Sequence, residues 1–189
     1  LEENGRAHFM TKRFDREGNT KHHMQTFCGL QHFDFNDMYS YSYEQLFMTM
    51  RKLRLSYPEA EQMFRRMVFN VLATNYDDHT KNFSFLLRKE TQTWELAPAY
   101  DLCFSFDPTN HWVSQQTLSI RGKRTHITIQ DLLHIAKENN IKKGKQIIAQ
   151  VTETVKQWNT YATTAGVRTD LKKRIDQALN EHTFTNAHA

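Results

Sequence analysis

The run from Ser56 to Asn82 limits what this chain can fold into more than any other part of it. Ala60, Met63, Phe64, Met67, Val68, Val71 and Leu72 recur at i, i+3, i+4, i+7, i+8, i+11 and i+12, which places them on one face of a helix. Pro58 falls in the first turn, where its missing N–H removes no bond, and Glu59 and Glu61 suit the positive end of the helix. Near Thr74 the pattern stops. Asn75-Tyr76-Asp77-Asp78-His79-Thr80-Lys81-Asn82 follows, rich in side chains that bond nearby backbone and compete with a helix. So wide an apolar stripe must be covered, and the rest of the chain has to wrap around it.

Further helices are predicted over 43–53, from Thr128 or Ile129 to Ala136, over 145–161 and over 170–179. Residues 83–87 and 94–96 read as the two strands of a hairpin, and 7–13 and 116–120 as single strands. Residues 15–21 read as a turn, 22–30 as a short helix and 31–42 as an ordered loop whose aromatic side chains need burial. Gly and Pro number only nine in 189, under the roughly 12% usual in proteins, so turns are sparse and helices long. Thirteen Phe, seven Tyr and three Trp make up for a modest apolar fraction of 39%. The expected fold is mainly α with a small β component, built as a single domain over 1–189.

No apolar run is long enough to span a membrane, and no secretory leader pattern opens the chain. Cys28 and Cys103 form no C-x-x-C, which fits a reducing cytoplasm. The net charge of +4 is spread thinly, with no basic run beyond three residues, so contact with nucleic acid is expected only indirectly.

Chemistry concentrates after the core helix. Asp77 and Asn82 form D-x-x-x-x-N, the spacing of a protein-kinase catalytic loop, in which the Asp orients a substrate hydroxyl and the Asn ligates magnesium. Asp101 stands nineteen residues beyond Asn82, across the hairpin, where a kinase places its second metal-binding carboxylate. Magnesium is a hard ion that takes oxygen ligands, so one Asp and one Asn suit it.

Four segments, HFMTKRFDR at 8–16, NVLATNYDDHTKNFSFLL at 70–87, ELAPAYDLCFSF at 95–106 and LSIRGKRTHITIQDLL at 118–133, resemble the HipA-like serine/threonine kinase toxins. The resemblance implies a protein-kinase-like C-terminal lobe of HipA type: a hinge strand over 1–16, a catalytic core with active-site loop and hairpin over 17–110, and a mainly helical portion over 111–189. By that resemblance Asp77 is the catalytic base, His79 and Lys81 lie beside the phosphates, and Asn82 and Asp101 hold magnesium. Lys12 and Phe14 would meet the adenine of ATP through their backbone, with Tyr100 also at the nucleotide. The implied partners are a HipB-like DNA-binding antitoxin and a protein substrate such as an aminoacyl-tRNA synthetase.

The chain departs from a whole kinase in lacking a glycine-rich phosphate loop and a strand lysine, its six glycines being too far apart for any G-x-G. The resemblance starts at the hinge and the first residue is Leu1, so an N-terminal lobe is expected from a missing part of the protein or from a second chain. Two other functions remain open: a non-catalytic module that binds a partner or antitoxin, and a metal-dependent phosphodiesterase using Asp77, Asp78, His79 and Asp101. Asp78 by itself is expected to be a solvated neighbour and Ser84 a hydrogen-bonding core serine. Arg65 and Arg66 are expected on the solvated helix face, and Arg121, Lys123 and Arg124 at a solvated basic turn.

Overall fold

The computed structural model describes residues 2–181. Strands β1 (Glu2–Glu3) and β2 (Arg6–Ala7) form a short antiparallel hairpin, as do β3 (Arg16–Glu17) and β4 (Thr20–Lys21), whose turn holds Gly18 at φ +55°. Between the two hairpins, residues 8–13 have no regular secondary structure, and Phe9 is 93% exposed. The strand expected at 7–13 therefore reduces to its first residue.

The helix expected over 22–30 is mostly a strand. Strand β5 (His23–Thr26) pairs antiparallel with β6 (Ser84–Leu87), which pairs with β7 (Trp94–Leu96), so the predicted hairpin gains a third strand from far upstream in the chain. Only α1 (Phe27–Leu30) is helical, opened by the Thr26 hydroxyl accepting from the Gly29 N–H. Phe27 and Phe85 are fully buried, so the sheet and α1 meet in the core.

Helix α2 (Tyr43–Lys52) starts at a reciprocal cap of Ser42 with Gln45, and α3 (Tyr57–Leu72) starts where Ser56 donates to the Glu59 carboxylate. The other oxygen of Glu59 accepts from the Leu96 N–H at 2.7 Å, tying the start of α3 to β7. Met63, Phe64, Met67 and Val68 are fully buried, Leu72 is buried and Val71 half-buried, so α3 is the spine of the core. Arg66 is buried as well, against expectation: it donates to the Ala97 carbonyl at 2.7 Å, while Arg65 is half-buried and reaches Gln150.

Helices α4 (Ile129–Glu138), α5 (Gly144–Lys156), α6 (Trp158–Thr164) and α7 (Thr169–Leu179) form the mainly helical C-terminal third. One helix was expected over 145–161. It breaks at Gln157, where the Trp158 indole turns to donate to the Lys172 carbonyl on α7. Gly144 lets α5 press on α4, since a Cβ there would stand 2.7 Å from the Ala136 Cβ. The basic turn before α4 is not a free tip: Arg121 and Lys123 pair at 3.0 and 2.8 Å with Asp131, the buried carboxylate that caps α4. Arg124 donates to the Thr117 and Tyr39 carbonyls. Residues 116–120 are buried but bend at Thr117 and Leu118 and join none of the described sheets; isolated bridges link Ser119 to Ser42 and Ile120 to Lys123. Among the described residues no helix is long and apolar enough to cross a membrane.

Candidate functional site

The loop after α3 is held by its second aspartate. Thr74 leaves the helix at φ +56°, and the chain then runs beside 101–105, with Tyr76 N–H donating to Ser105 O and Ser105 N–H to Thr74 O. Asp78, expected in solvent, is fully buried. Its Oδ1 accepts from the backbone N–H groups of Thr117 (2.9 Å) and Leu118 (3.2 Å), and its Oδ2 from Tyr43 Oη (2.6 Å) and Gln116 Nε2 (3.1 Å). Burial pushes its carboxyl up to about 7 even though all four bonds favour the charged form. Tyr43 Oη in turn accepts from Asn70 Nδ2, Asn70 Oδ1 accepts from Asn75 Nδ2, and Asn75 Nδ2 also reaches the Asp101 carbonyl at 3.5 Å. One buried polar chain thus runs from α2 through α3 to the backbone of Asp101.

Successive side chains of an extended segment point to opposite sides, so Asp78 facing inward turns Asp77 outward. Asp77 is half-exposed, with its Oδ1 3.9 Å from His79 Nε2. Burial raises the Asp77 carboxyl above its ordinary value, His79 opposes this, and the charge of Asp101 adds to it. The Cys103 thiol is raised by burial and by both of those aspartates, so the three side chains feel one another. The phosphodiesterase alternative needs Asp77, Asp78 and His79 on one ion. That convergence is closed, because Asp78 is spent on four interior donors. His79 packs edge-on against Phe35 with centroids 5.1 Å apart, and among the described residues its buried Nδ1 finds no hydrogen-bond partner.

Asn82 closes the loop by donating from Nδ2 to the Asp77 carbonyl at 2.8 Å, in a 3-10 turn over Thr80–Asn82. An amide that donates through its nitrogen presents its oxygen on the other side. Asn82 and Asp101 line one narrow recess, with Tyr100 beside them. Asp101 is exposed and sits at φ +56°, a left-handed conformation uncommon for a non-glycine residue. Asp77 instead faces a separate cleft bounded by Phe35 and Trp112.

Asp101 also lines a wide cleft of about 940 Å³, shared with Lys12, Phe14, Lys81 and Tyr100. The Phe14 and Tyr100 rings lie 5.8 Å apart. Tyr100 is fixed from below: its hydroxyl donates to the Lys81 carbonyl at 2.6 Å and bonds the buried Ser84 hydroxyl. The Lys81 ammonium is exposed and sits 3.5 Å from the centre of the Phe35 ring. All eight candidate residues therefore gather around the α3 loop, distributed over three adjoining openings.

Sequence reasoning missed the support of this site: Tyr43, Asn70, Asn75 and Gln116 in the buried chain, and Arg66 on the Ala97 carbonyl just ahead of Tyr100. Local pattern gave no signal for it, since Arg66 and Asn70 share their helix face with Glu59 and Gln62.

Comparison with known proteins bears on what this arrangement is. Residues 1–159 match the model of the HipA-like C-terminal domain. The fold is similar to a chain in the Shewanella oneidensis MR-1 toxin–antitoxin complex of HipA, HipB and operator DNA, with a TM-score of 0.69 at 19% identity. That match covers 91% of this chain and 46% of the other, so the chain spans just under half the length of its structural relative. No curated protein matches the sequence. Likeness at so low an identity speaks for the fold alone, whereas the family model covers most of the sequence: the chain belongs to the HipA-like C-terminal domains.

Proposed function

We propose that this domain is the catalytic half of a HipA-type protein serine/threonine kinase that uses Mg-ATP together with an N-terminal lobe. The observation that carries the reading is that Asn82 and Asp101 line one narrow recess, and that Asp101 also lines the wide cleft with Lys12, Phe14 and Tyr100. The donor set suits magnesium. Asn82 presents its oxygen and Asp101 is an exposed carboxylate, hard oxygen donors of the kind magnesium takes. When bound, the metal would neutralise phosphate charge. Asn82 and Asp101 would hold the ion, Phe14 and Tyr100 offer ring surface to the nucleotide base, and Lys81, its ammonium over the Phe35 ring, lines the same cleft as a cation for phosphate. Asp77, at the adjoining cleft and close enough to Asp101 to feel its charge, accepts the proton of a serine or threonine hydroxyl. A HipB-like antitoxin is the proposed partner, following the company kept by the structural relative.

Calorimetry with Mg-ATP, on this chain alone and with an N-terminal lobe added, tests the reading. The expected result is weak binding alone, tighter binding with the lobe, and phosphate transfer only in the completed protein. There, Asp101→Asn weakens nucleotide binding, whereas Asp77→Asn abolishes transfer and leaves binding nearly unchanged. Equal loss of binding in both variants would refute the assigned roles.

A further inference from the structure

Resting on the kinase reading, we propose that the cleft beside Asp77 seats the substrate segment and selects an apolar residue next to the accepting hydroxyl, with a basic residue beyond it. The cleft encloses about 260 Å³, below the roughly 300–1,000 Å³ of small-molecule sites and of a size for side chains. Phe35, Met38, Tyr41, Trp112 and Val113 form its apolar walls, and Asp77, His79, Thr80 and Thr117 supply its polar ones. A group that places a hydroxyl at Asp77 must therefore lay its neighbour on apolar surface.

The walls are preformed. One is the 33–41 loop, where Phe33 stacks on Tyr41 with centroids 4.0 Å apart and Tyr41 Oη donates to the Asp34 carbonyl at 2.9 Å. The other carries Trp112 and is joined to the first by Tyr39 Oη donating to the His111 carbonyl at 2.8 Å. Trp112 is 56% exposed, which fits a wall awaiting an occupant.

Charge decides the outer part. Asp34 and Asp37 are exposed on the first loop, near enough to Tyr41 to help burial raise its hydroxyl pKa. Among the described residues their side-chain bonds are local, to Asn36 and Ser40, and no cation pairs with them. On a chain of net charge +4, this acidic rim attracts a basic residue.

Fluorescence anisotropy with labelled serine hexapeptides tests the inference on the 189-residue chain. Replacing a leucine beside the serine by alanine is expected to weaken binding about tenfold. Replacing the outer lysine by glutamate weakens it severalfold, and less so at high salt. Val113→Asp and Met38→Ala, each checked for folding by circular dichroism, both reduce the preference for leucine. Equal binding of the leucine and alanine peptides, or an unchanged preference in both folded variants, overturns the inference. Transfer assays on the protein completed by its lobe separate the two ideas. Transfer to serine regardless of its neighbour overturns the selection and leaves the kinase standing; discrimination in binding without any transfer overturns the kinase and leaves the cleft's preference intact.

Discussion

Asp78 makes stability depend on pH in a direction opposite to most carboxylates. Its carboxyl lies at about 7 in the folded protein against an ordinary 3.8, because burial outweighs four hydrogen bonds. Below pH 4 both folded and unfolded chains hold the proton, and the group has no net effect. Between pH 4 and 7 the unfolded chain ionises while the folded one keeps its proton, so the contribution of Asp78 falls as pH rises. Above about 7 the full penalty is in place. At ~1.4 kcal/mol per pH unit it amounts to about 4 kcal/mol. Asp78→Asn keeps an oxygen for the Thr117 and Leu118 N–H groups but cannot ionise. Its amide nitrogen meets Tyr43 and Gln116 less well, an offset that does not vary with pH. Urea unfolding of both proteins from pH 4 to pH 8 should show the stability of Asp78→Asn gaining about 4 kcal/mol relative to the unmodified protein. Parallel curves, differing by a constant to within about 1 kcal/mol, would refute the argument and mean that the four donors keep Asp78 charged.

Gly144→Ala should lower stability by about 1–3 kcal/mol, read as a drop in thermal midpoint, because the new methyl would stand 2.7 Å from the Ala136 Cβ. An unchanged midpoint would mean that α5 slides away from α4 at no cost. Asp131 is held at about 2 by the Lys123 and Thr128 bonds, which outweigh its burial, so its contribution is present above pH 4 and lost as pH falls toward 2. Replacing both Arg121 and Lys123 by alanine should remove much of that acid-labile stability; unfolding curves at pH 2.5 and 5 that keep their difference would contradict it.

The core helix, the hairpin and the Asp77-to-Asn82 loop were legible because each rests on local physics. The apolar stripe repeats with the helical period, and Asn, Asp and Thr compete for backbone bonds where it ends. The fate of His23–Thr26 was not local. It is a strand because the edge of Ser84–Leu87 lies open to it, and that edge arrives only when the chain has folded back. Arg66 was expected on the solvated face of the helix, yet the helix is covered there too, and Arg66 is buried on the Ala97 carbonyl.

The sequence by itself determined which residues could do chemistry and how far apart along the chain they stand, since residue type and spacing are written there directly. Only the tertiary structure decided which of two adjacent aspartates faces solvent. Alternation along an extended loop forces Asp77 and Asp78 apart but leaves the choice open. The choice falls to the donors on Tyr43, Gln116, Thr117 and Leu118, all at least 35 residues away, which draw Asp78 inward and leave Asp77 at the cleft.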